Sequence, residues 1–245
     1  MDALDIASRQ QPRSAENLEP HVYYDSDSVS LRFNKGDIQS EMLLSDPKAL
    51  VLSYTRVMAA FQLIHPEPER VAMIGLGGGS ILKWCYDQLS RTEISVIEIS
   101  PKVIALRKTF YLPEDDERFH VVCGDGADYV ATTVDLPEVL LVDGFDRQGQ
   151  PPQLCTSQFY DDCFRALAPE GLLVVNLCGL FNRHLIQRID ASFEGRVLVV
   201  RPEDGENKIV FAVKGVQRWR SLDPIEELRH RLQVCHQTGP SLVAS

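Results

Sequence analysis

The stretch Val71-Ala-Met-Ile-Gly-Leu-Gly-Gly-Gly-Ser80 joins a short apolar run to a glycine-rich turn. A second apolar run, Ile94–Glu98, ends in an acid nineteen residues after the last of these glycines. A strand that enters a glycine turn, a helix that leaves it and an acid at the tip of the next strand are typical of a nucleotide-binding βαβ unit. There the glycines let the backbone approach the ligand, and the acid accepts hydrogen bonds from ribose hydroxyls. The predicted nucleoside site therefore contains Gly75, Gly77, Gly79 and Glu98.

The spacing of these glycines indicates which nucleotide is bound. A dinucleotide fingerprint has its third glycine three positions after the second, whereas position 80 here is a serine. No Lys-Ser or Lys-Thr pair follows, so the turn is not a phosphate-binding P-loop. The pattern favours a ligand whose chain beyond the ribose is not phosphate, such as S-adenosylmethionine and its relatives. A tight strand-helix turn followed by a solvated glutamate is the alternative interpretation.

Composition limits the classes of function. At 245 residues the chain is long enough for one domain with a small appendage. Its formal net charge of −10 disfavours nucleic acid, whose binders usually carry a basic face. The six cysteines have neither C-x-x-C nor metal-binding spacing, which indicates thiols in a reducing compartment and no metal. No signal peptide or apolar membrane span is visible, so we expect a cytoplasmic protein with no membrane partner. A homodimer is possible.

Four regions are expected along the chain. They are a flexible N-terminal arm (1–20), a small β-hairpin with a helix (21–66), a Rossmann-like nucleoside-binding domain (67–215), and a C-terminal helix with a tail (216–245). Alternating residues predict the hairpin strands within 21–33, and helical spacing predicts a helix over 47–64 that Pro66 ends. A final amphipathic helix is predicted over 222–235.

From Val71 onward strands and helices alternate. Strands are predicted near 71–75, 94–98, 119–123, 138–142, 171–177, 196–201 and 208–214, and helices near 80–89, 101–109, 126–133, 157–167 and 181–193. This alternation predicts an α/β fold with a parallel sheet and helices on both faces. The short link between the last two strands predicts an antiparallel pair. A seven-stranded sheet of this kind is typical of S-adenosylmethionine-dependent transferases.

Acids follow the next two strands as well. Asp125 and Gly126 come after the third strand, and Asp143 and Asp146 follow the fourth. Since ligands bind at the carboxyl ends of parallel strands, these side chains are expected around one site. Each acid alone is also a plausible cap of the helix that follows it.

These motifs resemble the polyamine aminopropyltransferase family, whose type member is spermidine synthase. The resemblance rests on Gly124-Asp-Gly126, Asp143-Gly-Phe-Asp146, Phe159-Tyr160 at a helix start, and Asp37-Ile-Gln39 upstream. It implies a small β-rich piece on a Rossmann-like domain, decarboxylated S-adenosylmethionine as co-substrate and a small amine as acceptor. It also implies residue roles: Gln39 contacts the nucleoside, Glu98 the ribose and Asp125 with Gly126 the adenine, while the three glycines cover the methionine-derived chain, Asp143 is the base, and Asp146 and Tyr54 bind the polyamine.

The chain departs from the family pattern at several positions. Gly78 stands where the family has the aspartate that pairs with the ammonium group of the aminopropyl arm. Arg56 replaces an acid two residues after Tyr54, and Arg147 replaces a proline. The segment 203–207 lacks the aromatic wall of the polyamine site. The resemblance therefore predicts the nucleoside site more strongly than the acceptor site.

Three functions remain open at this level. Aminopropyl transfer needs a base, because an amine with a pKa near ~10.4 must lose a proton before it attacks. Burial, or a like charge from Asp146, would raise the pKa of Asp143 and suit it to that task. A methyltransferase that uses S-adenosylmethionine itself is the second function, since Gly78 places no carboxylate against that of the methionine. A non-catalytic nucleoside-binding protein is the third.

Overall fold

The residues that the structure describes form one sheet of three strands and one of seven. The computed structural model describes residues 19–33, 38–179, 182–202, 207–222 and 225–238. Outside these ranges lie most of the predicted arm (1–20), Asp37 of the family motif, most of the segment 203–207 and the last residues of the tail. Among the described residues, no helix is long and apolar enough to cross a membrane.

The small sheet confirms the predicted N-terminal hairpin. Its strands are β1 (His21–Tyr24), β2 (Ser28–Arg32) and β3 (Ile38–Leu43), each antiparallel to its neighbour. A hydrogen bond from the Ser45 backbone N–H to the Asp27 carboxylate ties the β1–β2 turn to the chain beyond β3. The third strand places Gln39 and Ser40 next to the larger sheet's glycine turn.

The large sheet confirms the predicted α/β class. Its strands are β4 (Arg70–Ile74), β5 (Glu93–Glu98), β6 (Phe119–Cys123), β7 (Val139–Val142), β8 (Leu172–Leu177), β9 (Val197–Val200) and β10 (Lys208–Val213). Their order is β6-β5-β4-β7-β8-β10-β9. Strands β4 to β8 are parallel, and β10 is antiparallel to both of its neighbours. The order reverses at β4, and a reversal of this kind opens a ligand crevice at the carboxyl ends of the strands.

Helices cover both faces of this sheet. They are α1 (Ser53–Ala59), α2 (Ser80–Gln88), α3 (Pro101–Ile104), α4 (Gly126–Thr132), α5 (Ser157–Ala166), α6 (Asn182–Ser192), α7 (Val216–Ser221) and α8 (Ile225–Thr238). Alternate residues of each central strand enter separate buried clusters, so that Met73 packs with the face of α1 and α2 while Ile74 packs with the face of α5. This alternation is what a sheet covered on both sides requires.

Two predicted helices are shorter in the structure. Helix α1 begins at Ser53 instead of residue 47, because the Arg56 guanidinium donates to the carbonyls of Leu50 and Val51 and holds them outside the helix. A 3-10 turn, Ala60–Leu63, follows α1. The helix predicted over 101–109 is α-helical only in α3, since the next amides bond three residues back, as 3-10 turns do. The helix predicted over 222–235 is confirmed as α8, which begins and ends three residues later, and α7 is a further helix that was not predicted.

Candidate functional site

A cavity of about 630 Å³ opens at the carboxyl ends of β4, β5 and β7. Strand β3, helix α1 and the loop that follows β7 form its other walls. Of the site residues predicted from sequence, Gln39, Tyr54, Gly75, Gly77, Glu98, Asp125, Gly126, Asp143 and Asp146 line it, and Gly79 does not. The fold thus brings the acids of three successive strands around one space.

The glycine turn forms the floor of the cavity. Gly75 has a φ of +96°, and a Cβ built there would lie 2.4 Å from the backbone oxygen of Asp143. Only glycine therefore lets the end of β4 lie this close to the end of β7. Gly79 has a φ of +67° and begins α2, where a Cβ would lie 2.4 Å from Leu112. A side chain at this position would therefore meet Leu112.

Glu98 ties the glycine turn to the end of β5. Its carboxylate is buried and accepts hydrogen bonds from the backbone N–H of Leu76 at 2.9 Å and of Ser100 at 2.8 Å. Burial raises the pKa of Glu98, while the backbone donors of Leu76, Ser100 and Ile99 act against the rise. A carboxylate has about four acceptor positions, so this one keeps capacity for a ribose hydroxyl.

Asp125 caps a helix and also lines the cavity. One carboxylate oxygen accepts from the Ala127 backbone N–H at 2.8 Å at the start of α4, and the other accepts from the Gln153 amide at 3.3 Å. The interpretation of Asp125 as a helix cap is thus confirmed, and the same residue also lines the cavity. Gly126 lets α4 approach the sheet, because a Cβ there would lie 2.3 Å from the Ile74 side chain.

Asp143 ends β7 and is held from two sides. Its Oδ1 accepts from the Asn176 amide at 2.8 Å, and its Oδ2 accepts from the Tyr54 hydroxyl at 3.3 Å. Burial raises the pKa of Asp143 to about 6, although both hydrogen bonds favour the charged form. The cause is burial, and the like charge of Asp146 that the sequence suggested as a cause is not needed. A carboxylate of this kind is ionised near neutral pH and still accepts a proton well.

Tyr54 stays a hydrogen-bond donor at neutral pH. Burial and the neighbouring Asp143 raise the pKa of its hydroxyl well above the ordinary value. The hydroxyl oxygen also lies 3.4 Å from the backbone oxygen of Gln39, so it links β3 to β7 across the cavity. Tyr54 therefore connects the small sheet to Asp143.

Asp146 lies in the loop after β7. Its backbone pairs with Gly149 in a tight turn, and its carboxylate accepts from the Gln148 backbone N–H at 2.7 Å. The exposed Arg147 lines the cavity beside it. This part of the wall therefore carries one acid and one base.

Two departures from the family pattern lie away from the cavity. The Gly78 backbone N–H donates to the Ser40 hydroxyl at 2.9 Å, and a Cβ at 78 would lie 2.9 Å from the Ser40 Cβ and 3.0 Å from the Phe110 ring. Residue 78 therefore faces Ser40 and Phe110. Neither Gly78 nor Arg56 lines the cavity.

Comparisons with known proteins agree with this geometry. A family model described as "Spermine/spermidine synthase domain" matches residues 52–203. The polyamine aminopropyltransferase of Chromobacterium violaceum is 36% identical over 222 residues, which cover 87% of this chain and 85% of that protein. The chain belongs to the spermine/spermidine synthase family.

Solved structures agree on the fold. A probable spermidine synthase from Corynebacterium glutamicum matches with a TM-score of 0.65 at 21% identity, covering 79% of this chain and 76% of that one. Human methyltransferase-like protein 13, solved with SAH, matches with a TM-score of 0.58 at 21% identity, covering 78% and 92%. The Rossmann-like fold is thus shared with methyltransferases.

Several cavity residues of this spermine/spermidine synthase domain were not predicted from sequence. They are Ser40, Gln153, Asn176, Cys178 and Asn207. Asn176 left a signal, since it is the one polar residue in the apolar run of β8, Leu172–Leu177. Ser40 lies in the half-exposed strand β3, Gln153 in a 3-10 turn, and Cys178 and Asn207 next to strand ends. A polar residue is ordinary at such positions and carries no such signal.

Proposed function

We propose that this protein transfers an aminopropyl group from decarboxylated S-adenosylmethionine to a small amine. The observation that carries the proposal is the half-buried Asp143 at the end of β7, held by Tyr54 and Asn176 inside a cavity that also contains Glu98 and Asp125. Membership of the spermine/spermidine synthase family supports it, as does a relative named polyamine aminopropyltransferase.

We assign the nucleoside half of the substrate to the residues at the ends of β4, β5 and β6. Glu98 accepts hydrogen bonds from the ribose hydroxyls with the lone pairs that Leu76 and Ser100 leave free. Asp125 accepts from the adenine amino group while it continues to cap α4. Gln39, Gly75 and Gly77 line the same cavity, and we assign Gln39 to the nucleoside and the two glycines to the methionine-derived chain.

The reaction exchanges one bond for another. The nitrogen lone pair of the acceptor attacks the carbon next to the sulfonium, a C–N bond forms, and the C–S bond breaks. The electron pair of the broken bond returns to sulfur, which leaves as the neutral thioether methylthioadenosine. Asp143 takes the proton that the acceptor nitrogen loses, and Asp146 attracts the charge of the acceptor. A carboxylate with a pKa of about 6 is mostly ionised at neutral pH and ready for this step.

The proposed acceptor is a small amine. We place the reaction in the cytoplasm, and we propose neither a nucleic-acid partner nor a metal. The acids Glu41 and Asp146 on the cavity wall support a cationic acceptor, and the net charge of −10 supports the exclusion of nucleic acid. A homodimer stays a prediction that light scattering tests.

A product assay tests the proposed function. Purified protein is incubated with decarboxylated S-adenosylmethionine and a series of diamines and monoamines, and mass spectrometry detects methylthioadenosine and the aminopropylated amine. We expect both products in equal amounts with at least one amine. Asp143→Asn should abolish most turnover, whereas Asp128→Asn, an exposed acid in the first turn of α4, should behave as wild type.

The same assay separates the alternatives. With S-adenosylmethionine as the donor, S-adenosylhomocysteine and a methylated amine would indicate methyl transfer instead. Methylthioadenosine binding without any product from either donor would indicate a non-catalytic nucleoside-binding protein. Either result contradicts the proposed function.

A further inference from the structure

A pair of asparagines, Asn176 and Asn207, lies next to Asp143. Strand β8 is the neighbour of β7 in the middle of the sheet, and its residues other than Asn176 are apolar. Asn176 is only 2% exposed and follows Leu172 and Val174 on the face that packs against α1. A leucine there would extend the apolar cluster, whereas a buried amide must have all its polar atoms bonded.

Asn207 fixes the orientation of the Asn176 amide. The Asn207 side-chain N–H donates to Asn176 Oδ1 at 2.8 Å, and Asn176 Nδ2 donates to Asp143 Oδ1 at 2.8 Å. Turning the Asn176 amide over would set its oxygen against the carboxylate and its nitrogen against another donor, so only one orientation satisfies both neighbours. The result is a directed chain of donors that ends on one oxygen of Asp143.

We propose that Asn176, oriented by Asn207, is a positioning residue that fixes the carboxylate of Asp143 toward the acceptor and sets its affinity for the proton. This inference rests on the proposed function for the acceptor, while the effect on Asp143 itself is independent of turnover. With Asn176 on Oδ1 and Tyr54 on Oδ2, the carboxylate plane is fixed, and each oxygen keeps one lone pair for a ligand.

The effect of Asn176 on the pKa of Asp143 follows from the same contacts. Burial raises the pKa of Asp143, and the hydrogen bonds from Asn176 and Tyr54 lower it again. The other titratable or charged groups that line this cavity are Glu41, Glu98, Asp125, Asp146, Arg147 and Cys178. Without the Asn176 donor the carboxyl group keeps its burial and loses a partner that favours the charged form, so its pKa rises further.

The pH profile of kcat/KM tests the positioning role. In wild type we expect the profile to fall below a pKa of about 6. Asn176→Leu should move the acid limb of the profile to higher pH by about one unit. The loss of kcat/KM relative to wild type should then be roughly tenfold larger on the acid side than at about pH 9. Asn207→Ala should move the limb in the same direction by less. Asn176→Gln keeps an amide and should retain more of the wild-type profile than Asn176→Leu.

Asn182→Leu is the matched control. Asn182 is also a 2% exposed asparagine, and its amide donates to the backbone oxygen of Leu177 without lining the cavity. Its loss should lower the thermal midpoint and leave the limb unmoved. A limb that stays in place in Asn176→Leu, with only a uniform loss of rate, would show a structural role for Asn176 and overturn the inference.

A second readout does not depend on turnover. The carboxyl carbon of Asp143, labelled with carbon-13 and assigned by its loss in Asp143→Asn, is titrated by NMR in wild type and in Asn176→Leu. We expect a midpoint near pH 6 in wild type and a higher midpoint in the variant. Equal midpoints would overturn the inference. A shifted midpoint in a protein that turns over no amine would keep the effect on Asp143 and refute the proposed function alone.

Discussion

At the scale of single residues, Glu98 has two tasks. It anchors the glycine turn through the Leu76 and Ser100 N–H groups, and we assign its remaining lone pairs to ribose. We predict that Glu98→Ala weakens methylthioadenosine binding by roughly 10- to 100-fold, because hydrogen bonds to charged groups contribute about 1.5–3 kcal/mol each. Calorimetry measures the dissociation constant. Glu93→Ala, at the exposed other end of β5, should bind as wild type, and equal affinity in both variants would refute the assignment.

Position 78 tests the packing of the turn. A Cβ there lies within about 3 Å of Ser40 and Phe110, so Gly78→Ala overpacks the space. Overpacking costs about 1–3 kcal/mol, which lowers the thermal midpoint by roughly 2–12 °C in a chain of this size. Adding Ser40→Gly should recover part of the loss. Gly124→Ala is the control, because its added Cβ meets no atom within 4 Å, and a loss as large as that of Gly78→Ala would contradict the packing account.

At the scale of elements, Asp125 and Thr156 are two caps with different expected consequences. Asp125 accepts from the Ala127 N–H at the start of α4, and Thr156 accepts from the Phe159 N–H at the start of α5. Replacing either by alanine should cost about 0.5–2 kcal/mol in the free energy of unfolding. Only Asp125→Ala should also weaken methylthioadenosine binding. If the two variants differ from wild type in stability alone, Asp125 is a cap and nothing more.

The order and kind of the elements were predictable because each has a local signature. Buried parallel strands such as Val139–Val142 are continuous apolar runs, and the acids that follow them lie at one edge of the sheet by topology alone. The early end of α3 and the late start of α1 were not predictable, since they depend on hydrogen bonds that the folded chain decides. The division into four regions stays a prediction.

The acids of the candidate site were predicted from the sequence, whereas their hydrogen-bond partners were not. Strand ends revealed Glu98, Asp125 and Asp143, but the link between Asp143 and Asn176 joins residues 33 positions apart. The cause of the raised pKa of Asp143 was open for the same reason, because burial is a property of the assembled sheet. Gly79 was assigned to the ligand because it belongs to the glycine run, and the direction in which it faces depends on where Leu112 packs.

At the scale of the whole molecule, Asp143 makes stability depend on pH. Its folded pKa of about 6 lies above the ordinary 3.8, so the folded state holds this proton after the unfolded chain has released it. The contribution is complete below about pH 4 and is lost as pH rises through about 6. Asp143→Asn lacks this dependence, so relative to wild type it should gain up to about 3 kcal/mol between those pH values. Denaturant unfolding at several pH values measures the difference, and a constant difference would contradict a raised pKa.

Aminopropyl transfer through Asp143 is tested most directly by the rate of methylthioadenosine formation in Asp143→Asn. The amide keeps the shape of the carboxyl group and cannot accept the proton of the attacking amine. With the amine that wild type accepts, the variant should lose about 10²–10⁴ in kcat/KM while its dissociation constant for methylthioadenosine stays within about threefold of wild type. A variant that forms methylthioadenosine at the wild-type rate would contradict the account.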